Sequence, residues 1–131
     1  MNNSYPKAEK LCSRNIIDKL FTNRRAIYEF PLKVVWLLEQ LPENVPVQSA
    51  VTVSKRRFKR AYKRNLLKRR MREAFRLNKE ALYAKVKSQN KQLALMIIYN
   101  HAEILPYNQI EPAMIAALEK IISKLDKNTK V

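Results

Sequence analysis

The chain has 131 residues, with 27 Lys or Arg against 11 Asp or Glu, so its formal net charge is +16. This length predicts a single domain over residues 1–131, and a hydrophobic fraction of 47% excludes a wholly disordered basic tail. The chain has no glycine, one cysteine and one histidine, which excludes glycine-rich phosphate loops, internal disulfides and metal sites built from cysteine or histidine.

The longest apolar runs, residues 34–38 and 93–99, are far shorter than the roughly 20 residues that cross a bilayer. The first residues lack the apolar stretch of a secretory signal, so we expect a cytoplasmic protein. A compact protein with this much positive charge repels itself, so its expected partner is a polyanion. Nucleic acid, an anionic membrane and an acidic protein all remain candidates at this point.

The first half of the chain predicts one helix followed by three strands. Ser13 can cap the helix, and Pro31 separates the first two strands. The first two strands are rich in β-branched and aromatic residues, and the third alternates between apolar and polar residues. The predicted elements are a helix over 14–21, strands over 26–30, 32–39 and 47–53, and a turn over 42–46.

In the second half, a basic connector over 54–63 leads into a long helix. The predicted elements are a helix over 61–77 with an extension toward 87 left open, a strand over 93–99 and a final helix. Asn108 can cap that helix, with Glu111 completing a capping box. Its apolar stripe consists of Ile110, Met114, Leu118, Ile121, Ile122 and Leu125. The order α-β-β-β-α-β-α predicts an α+β fold, a two-layer sandwich with an ordered core over about 10–125 and frayed ends, 1–8 and 126–131.

The most informative segment is the helix over 63–76, which carries cations beside an apolar stripe. On a helical wheel, the stripe consists of Leu67, Met71, Ala74 and Phe75. The residues beside the stripe are Asn65, Lys68, Arg69, Arg72 and Arg76, with Arg64 on the border. Arg64, Lys68 and Arg72 follow one another at about 6 Å along the helix axis, a spacing comparable with successive phosphates on one strand.

The cations of this helix continue into the connector and have few acidic partners. The preceding cluster consists of Lys55, Arg56, Arg57, Lys59, Arg60 and Lys63. A charge run is usually a solvated helix face, but such a face mixes signs, and no acid occurs between Lys55 and Arg72. A basic amphipathic helix can also bind a membrane or a protein groove, but the core needs this modest stripe. Nucleic acid is therefore favoured.

These residues follow one another in a recognisable pattern. The pattern consists of Thr52, Val53, Ser54 and Lys55, then Arg64, Asn65, Lys68, Arg69 and Arg72, then Glu73, Ala74 and Phe75. It resembles the signature of the bacterial ribonuclease P protein subunit, over roughly residues 10–125. The resemblance implies a four-stranded sheet with a left-handed crossover. Leu66 departs from the family's usual Arg, and the connector is one residue longer and lacks the family's Gly.

The resemblance implies a function in tRNA 5′ maturation, in which the ribonuclease P RNA is the catalyst and removes the leader of precursor tRNA. The protein would contribute no catalytic residue and no metal site, because Mg²⁺ is held mainly by the RNA subunit and the substrate. Its partners would be ribonuclease P RNA and precursor tRNA, in a 1:1 protein:RNA complex without DNA or membrane. The implied RNA-facing residues are Lys55, Arg64, Asn65, Lys68, Arg69 and Arg72.

The resemblance also implies a cleft for the single-stranded 5′ leader, between the first helix and the sheet. The family's contact positions correspond to Ile17, Phe21 and Lys33. Only Phe21 is aromatic, and Lys33 can contact a phosphate but cannot stack on a base. Because Phe21 shares an apolar stripe with Ile16 and Leu20, a plain core position is an equal alternative.

Two other functional classes remain open. A generic structured-RNA-binding protein, such as a ribosomal or assembly factor, fits the charge and the size. A preference for precursor over mature tRNA would exclude that class. A DNA-binding helix module would read bases from the helix start, where Arg64 and Asn65 lie. Three strands before the helix do not fit a helix-turn-helix, and equal affinity for duplex DNA and structured RNA would revive that class.

Overall fold

The computed structural model of the protein describes residues 6–22 and 25–128. Its elements are a 3₁₀ helix (Lys7–Glu9), α1 (Arg14–Thr22), β1 (Ala26–Glu29), β2 (Leu32–Leu38), β3 (Val47–Val53), α2 (Ala61–Asn78), α3 (Glu80–Ser88), β4 (Leu93–Tyr99) and α4 (Tyr107–Asn128). The predicted order is confirmed, with the 3₁₀ helix and α3 added to it. The predicted bounds of β3 and β4 agree with the structure.

The four strands form one sheet in the order β1-β2-β4-β3. The β1–β2 and β2–β4 pairs are antiparallel, whereas β3 and β4 are parallel. A parallel pair needs a long crossover connection, which α2 and α3 supply. The left hand of this crossover stays a prediction from the resemblance.

Helices cover both faces of the sheet. On one face α2, α3 and α4 build the main core, in which Phe75 and Met114 cluster with Trp36 of β2. On the other face Leu20 of α1 clusters with Val35 of β2. The main core is the helix-on-sheet sandwich that the sequence predicts, and α1 adds a partial third layer on the opposite face.

Two helices use their local sequence signals as predicted. The Ser13 Oγ accepts a hydrogen bond of 3.4 Å from the Ile16 backbone N–H and so caps α1. The apolar stripe of α4 faces the core, with Ile122 at its partly buried margin. Its fully buried members are Ile110, Met114, Leu118, Ile121 and Leu125.

The start of α4 corrects a prediction. The helix begins at Tyr107, so Asn108 lies in its first turn and is not the cap. The Glu111 carboxylate accepts hydrogen bonds from the Tyr107 hydroxyl at 3.1 Å and from Asn78 Nδ2 at 3.0 Å. Glu111 therefore joins α4 to the end of α2 instead of closing a capping box.

The segment over 7–11 lies along the outer edge of β3. The Leu11 backbone N–H donates to the Ser49 carbonyl at 2.9 Å, and Gln48 Nε2 donates to the Ala8 carbonyl at 2.8 Å. An edge strand exposes unpaired backbone groups, and this segment covers part of them. Residues 7 and 8 belong to the 3₁₀ helix and residues 126–128 to α4, and the fraying of the two ends stays a prediction. Residues 1–5 and 129–131 lie outside the described residues.

A buried ion pair joins the same segment to the junction of α2 and α3. Lys79 is only 2% exposed, and its Nζ donates to Glu9 Oε1 at 2.7 Å. The Tyr83 hydroxyl donates to the same oxygen at 2.6 Å. The sequence left open a continuation of the long helix toward residue 87. The structure places Lys79 between two separate helices, where its head group meets Glu9.

Candidate RNA-binding surfaces

α2 packs on the protein through one face and turns the opposite face to solvent. Its buried residues are Leu67, Met71, Ala74 and Phe75, which confirms the predicted stripe. The predicted polar residues lie on the remaining circumference, where Asn65, Arg69 and Arg72 are exposed and Lys68 is half-buried. Burial of the stripe therefore fixes which side chains α2 presents to a partner.

The structure places the predicted RNA-binding residues on two consecutive segments, the connector and α2. The exposed members are Lys55, Arg56, Arg57, Lys59, Arg60, Asn65, Arg69 and Arg72. The half-buried members are Lys63, Arg64, Lys68 and Arg76. We call these two sets together the cationic surface. Two of its half-buried members, Arg64 and Arg76, have partners within the protein.

Arg64 is tied to the connector. Its Nη1 donates to the Phe58 carbonyl at 2.7 Å and to the Lys59 carbonyl at 2.9 Å. One guanidinium therefore holds two carbonyls of the turn that displays the connector cations. The sequence predicts Arg64 as an RNA contact, and the structure adds a positioning role.

Arg76 is tied to its own helix. Its Nη2 donates to Glu73 Oε2 at 2.8 Å, and its Nε donates to Glu73 Oε1 at 3.0 Å. This fork-shaped pair offsets the cation at the end of the predicted row. Arg70, which the sequence did not single out, donates to the Leu105 carbonyl at 2.7 Å and steadies the loop before α4.

The connector is a folded turn and not a loose linker. The Ser54 Oγ accepts hydrogen bonds from the backbone N–H groups of Arg56 at 3.1 Å and Arg57 at 3.4 Å. Phe58 is buried, and its ring packs edge-to-face on the Tyr99 ring, with 5.9 Å between the two ring centroids. Phe58 therefore anchors the connector, and no sequence signal beyond its isolation among cations pointed to it. The connector contains no glycine, and hydrogen bonds to nearby side chains shape its backbone.

A groove of about 530 Å³ lies between the connector and the loop after β4. Its lining residues are Arg56, Arg57, Phe58, Lys59, Arg60, Lys63, Ala102, Glu103 and Ile104. The Tyr99 hydroxyl supports this loop, donating to the Glu103 carbonyl at 2.6 Å and accepting from the Leu105 N–H at 3.0 Å. Burial raises the pKa of Tyr99, and its neutral phenol both donates and accepts a hydrogen bond.

The predicted leader-contact residues lie on the face of the sheet that α1 covers only in part. Ile17 packs at the margin of the α1 cluster, and Phe21 at the end of α1 is 63% exposed. This exposure contradicts a core position for Phe21. Lys33 pairs directly with Tyr28 of β1 and with Ile98 of β4, so all three share this face.

Tyr28 is a surface aromatic that the sequence reasoning missed. It is 62% exposed, and Lys33 Nζ lies 5.4 Å from the centre of its ring. The signal was available in principle, because Tyr28 and Lys33 flank a tight turn and face each other across two antiparallel strands. The stacking surface absent at Lys33 is thus present on the neighbouring strand.

The two surfaces lie at the same end of the sheet. Thr52 pairs with Ile98, which places Thr52 in one cross-strand row with Lys33 and Tyr28. The chain continues from this end of β3 directly into Ser54 and the connector. The open part of the sheet face, defined by Tyr28, Lys33, Ile98 and Thr52, is therefore continuous with the start of the cationic surface.

The described residues form neither a cluster of metal ligands nor a membrane-spanning helix. Over residues 6–22 and 25–128, no three His, Cys, Asp or Glu side chains gather into a possible metal site. No helix of this described part is long and apolar enough to cross a bilayer.

The fold and these surfaces define a class, an α+β protein that displays a cationic helix and a cationic turn on its surface. The family model for ribonuclease P matches residues 5–122. Ribonuclease P protein components from two Porphyromonas gingivalis strains are each 33% identical over 115 residues, which is 88% of this chain and 84% of theirs. The chain belongs to the ribonuclease P protein family.

Solved structures show the same fold. The ribonuclease P protein of Staphylococcus aureus matches with a TM-score of 0.66 and 19% identity, over 88% of this chain and 96% of that chain. A mutant of that protein with defective mRNA degradation activity matches with a TM-score of 0.66 and 18% identity, over 88% and 89%. Family membership gives this chain the protein-subunit role in ribonuclease P, the endoribonuclease of tRNA 5′ maturation.

Proposed function

We propose that the cationic surface binds the catalytic RNA of ribonuclease P. One observation carries this proposal: α2 buries its apolar stripe and displays Lys68, Arg69 and Arg72 beside a connector of exposed cations. No acid interrupts the sequence from Lys55 to Arg72. Such a surface offers its charge to phosphates at helical spacing, and guanidinium groups can fork onto phosphate oxygens.

The open sheet face is our proposed site for the single-stranded leader of precursor tRNA. Phe21 and Tyr28 are exposed aromatic rings on which unpaired bases can stack. Lys33 lies between β1 and β4 on the same face and can contact a phosphate. Because this face is continuous with the connector, one precursor tRNA bound to the RNA subunit could reach both surfaces.

In this proposal Mg²⁺ is held by the RNA subunit and the substrate, and the chemistry it would supply is activation of water and stabilisation of negative charge. The protein's part is electrostatic. Its +16 charge offsets the repulsion between RNA subunit and substrate phosphates, which lowers the Mg²⁺ concentration that cleavage needs. We further propose a 1:1 protein:RNA complex that acts in the cytoplasm, as the family relationship suggests.

Cleavage of a 5′-labelled precursor tRNA by the matching ribonuclease P RNA, at low millimolar Mg²⁺, tests the role of the cationic surface. The test variant replaces Lys68, Arg69 and Arg72 by Ala and leaves Arg64 intact, because Arg64 also holds the connector. The control variant removes the same number of charges from exposed Lys87, Lys91 and Lys124. These residues lie near the start of β4, at the sheet end remote from the connector.

We expect the wild type and the control variant to stimulate cleavage at the mature 5′ end equally. The test variant should bind the RNA roughly a hundredfold more weakly near physiological salt, since about three phosphate contacts are lost. Equal loss in both variants would mean that only net charge matters. No stimulation by the wild type would leave the alternative, a generic structured-RNA-binding protein.

A second experiment tests the leader site by comparing the affinity of the assembled holoenzyme for precursor and mature tRNA. Replacing Phe21 and Tyr28 by Ala should reduce the preference for precursor tRNA by about tenfold or more, because stacking on each base is lost. Ile115→Ala, an exposed apolar change on α4, serves as the control. An unchanged preference in the double variant would contradict this site.

A further inference from the structure

The outer face of α2 carries a groove of about 580 Å³ that the phosphate-binding proposal does not explain. Its lining residues are Lys10, Tyr62, Asn65, Leu66, Arg69, Arg72, Glu73 and Arg76. Tyr62 is 62% exposed, although a large aromatic ring gains most from burial. The helix stripe that faces the core lies on the other side of α2.

No intramolecular contact of Tyr62 among the described residues explains why an aromatic ring is exposed at this position. In the described part of the chain, its side chain takes part in no hydrogen bond, ion pair or ring contact. Leu66 lies one helical turn further on the same side and is half-buried, so it can support the lower edge of the ring. Tyr62 and Leu66 thus form an apolar step in a surface otherwise made of cations.

The chemistry around this step fits a nucleotide better than phosphate alone. Arg69 and Arg72 border the groove, and Lys10 closes it from the N-terminal segment. The Asn65 amide carries both donors and acceptors, which can read the edge of a base. An aromatic ring among guanidinium groups is the arrangement that holds unstacked bases of RNA, whereas paired bases in a helix are not free to stack on protein.

We propose that this groove binds one unpaired nucleotide of the ribonuclease P RNA, with its base stacked on Tyr62 and its phosphates held by Arg69 and Arg72. This inference rests on the proposed docking of the cationic surface on that RNA. It adds a site of stacking to a surface of charge. It also gives Leu66 a role, since an arginine there would replace the apolar support beneath the ring.

The test measures the affinity of the RNA subunit alone, without tRNA, for four proteins. Tyr62→Leu keeps an apolar side chain and loses the ring, whereas Tyr62→Phe keeps the ring and loses the hydroxyl. Leu77→Ala removes an exposed apolar side chain from α2 outside the groove and is the matched control. Circular dichroism and the melting temperature confirm that each variant folds.

We expect Tyr62→Leu to weaken binding about tenfold, as loss of one stacked base predicts, with an unchanged salt slope. Tyr62→Phe and Leu77→Ala should bind within about twofold of the wild type. Wild-type affinity of Tyr62→Leu, an equal loss in Tyr62→Phe, or an equal loss in Leu77→Ala would each overturn the stacking site. These outcomes leave the proposed function standing, whereas failure of the wild type to bind the RNA would refute that function itself.

A crosslink gives a second readout that a purely structural role of Tyr62 would not produce. The photoreactive residue p-benzoylphenylalanine is placed at position 62, and primer extension on the crosslinked RNA locates the contact. A stop confined to an unpaired nucleotide supports the site. Stops spread along a paired helix, or no crosslink in a bound complex, would overturn it.

Discussion

Arg64 and Arg72 differ in what they contact, although the sequence places them on one row of the same helix. The Arg64 guanidinium holds two connector carbonyls, whereas Arg72 is exposed on the outer face of α2. A residue that both positions a turn and carries a charge has two effects when it is removed. Removal of an exposed cation such as Arg72 has only the effect on charge.

Replacing Arg64 by Ala should therefore lower both stability and RNA affinity, and Arg72→Ala should lower affinity alone. Loss of charged hydrogen bonds to Phe58 and Lys59 costs about 1–2 kcal/mol, or a melting temperature lower by about 4–7 °C. Arg72→Ala should melt within about 1 °C of the wild type. Equal melting temperatures for the two variants would show that the Arg64 bonds do not hold the connector.

Tyr107 provides a pH-dependent contribution to stability. Burial, with the hydrogen bond to Glu111 second, raises the pKa of Tyr107 to about 12 from an ordinary value of 10.0. Between these values the unfolded chain loses the phenolic proton while the folded protein keeps it. The unfolded state is then favoured, so this contribution is complete below about pH 10 and falls as pH rises toward 12.

Urea unfolding between pH 9 and pH 12 measures this effect. Tyr107→Phe removes the titrating hydroxyl, so its free energy of unfolding should fall less over this range than that of the wild type. The difference between the two proteins cancels the lysines, which titrate over the same range. Parallel curves for the two proteins would exclude a raised Tyr107 pKa.

Among the elements, the N-terminal segment makes a long-range contact that the sequence did not predict. Its Glu9 carboxylate meets Lys79 and Tyr83, which lie about 70 residues further along the chain. Burying a lysine is costly unless its charge has a partner. This segment therefore acts as a strap across the edge of β3 and the end of α2.

Replacing Glu9 by Gln should lower the free energy of unfolding by about 3 kcal/mol, because it removes the carboxylate from a buried cation. Adding Lys79→Met to this variant should restore much of the loss, since it removes the charge that needs a partner. The unfolding midpoint in urea checks both expectations. A Glu9→Gln variant with wild-type stability would show that the strap contributes little.

Element existence could be predicted wherever one face of the element is buried in the core. The alternation over 47–53 and the continuous apolar run over 93–99 gave the correct bounds for β3 and β4. The start of α4 and the break at Lys79 could not be predicted, because contacts between α2, α4 and Glu9 decide them. The capping pattern at Asn108 therefore did not set the start of α4, which begins at Tyr107.

At the scale of the whole molecule, the charge is distributed unevenly. The connector and α2 lie at one end of the sheet, next to the open row of Tyr28, Lys33, Ile98 and Thr52. Outside the connector and α2, Lys85 and Lys120 pair with acids, Asp126 and Glu29. A polyanion that approaches this protein therefore meets a run of cations beside the sheet face that carries the exposed Tyr28 ring.

This distribution makes the salt dependence of RNA binding a test of the whole surface. If about six phosphates are neutralised, affinity should fall roughly a thousandfold between about 50 and 200 mM salt. Removing Lys68, Arg69 and Arg72 should reduce the fall to roughly fortyfold, since about three contacts remain. The variant lacking Lys87, Lys91 and Lys124 should keep the full dependence. Identical slopes for both variants would mean that the charge acts without a defined surface.

The class of partner, the element order and the helix that carries the motif can all be predicted without the structure. These follow from quantities that the chain states directly, namely its net charge, its hydrophobic periods and the spacing of its cations. These predictions do not require knowing which residues that are distant in sequence contact one another. Burial of the apolar stripe of α2 could be predicted in the same way, because hydrophobic periodicity alone identifies the helix face that packs into the core.

Which of the predicted binding residues are available to a partner could be seen only in the folded protein. Arg64 and Arg76 have intramolecular partners, Phe21 is exposed, and Tyr62 stands in a groove closed by Lys10. Each outcome depends on contacts between residues, and for Lys10 and Tyr62 these come from distant segments. Such contacts form only when the sheet and helices assemble, because side-chain partners are set by distance in space and not by spacing along the chain.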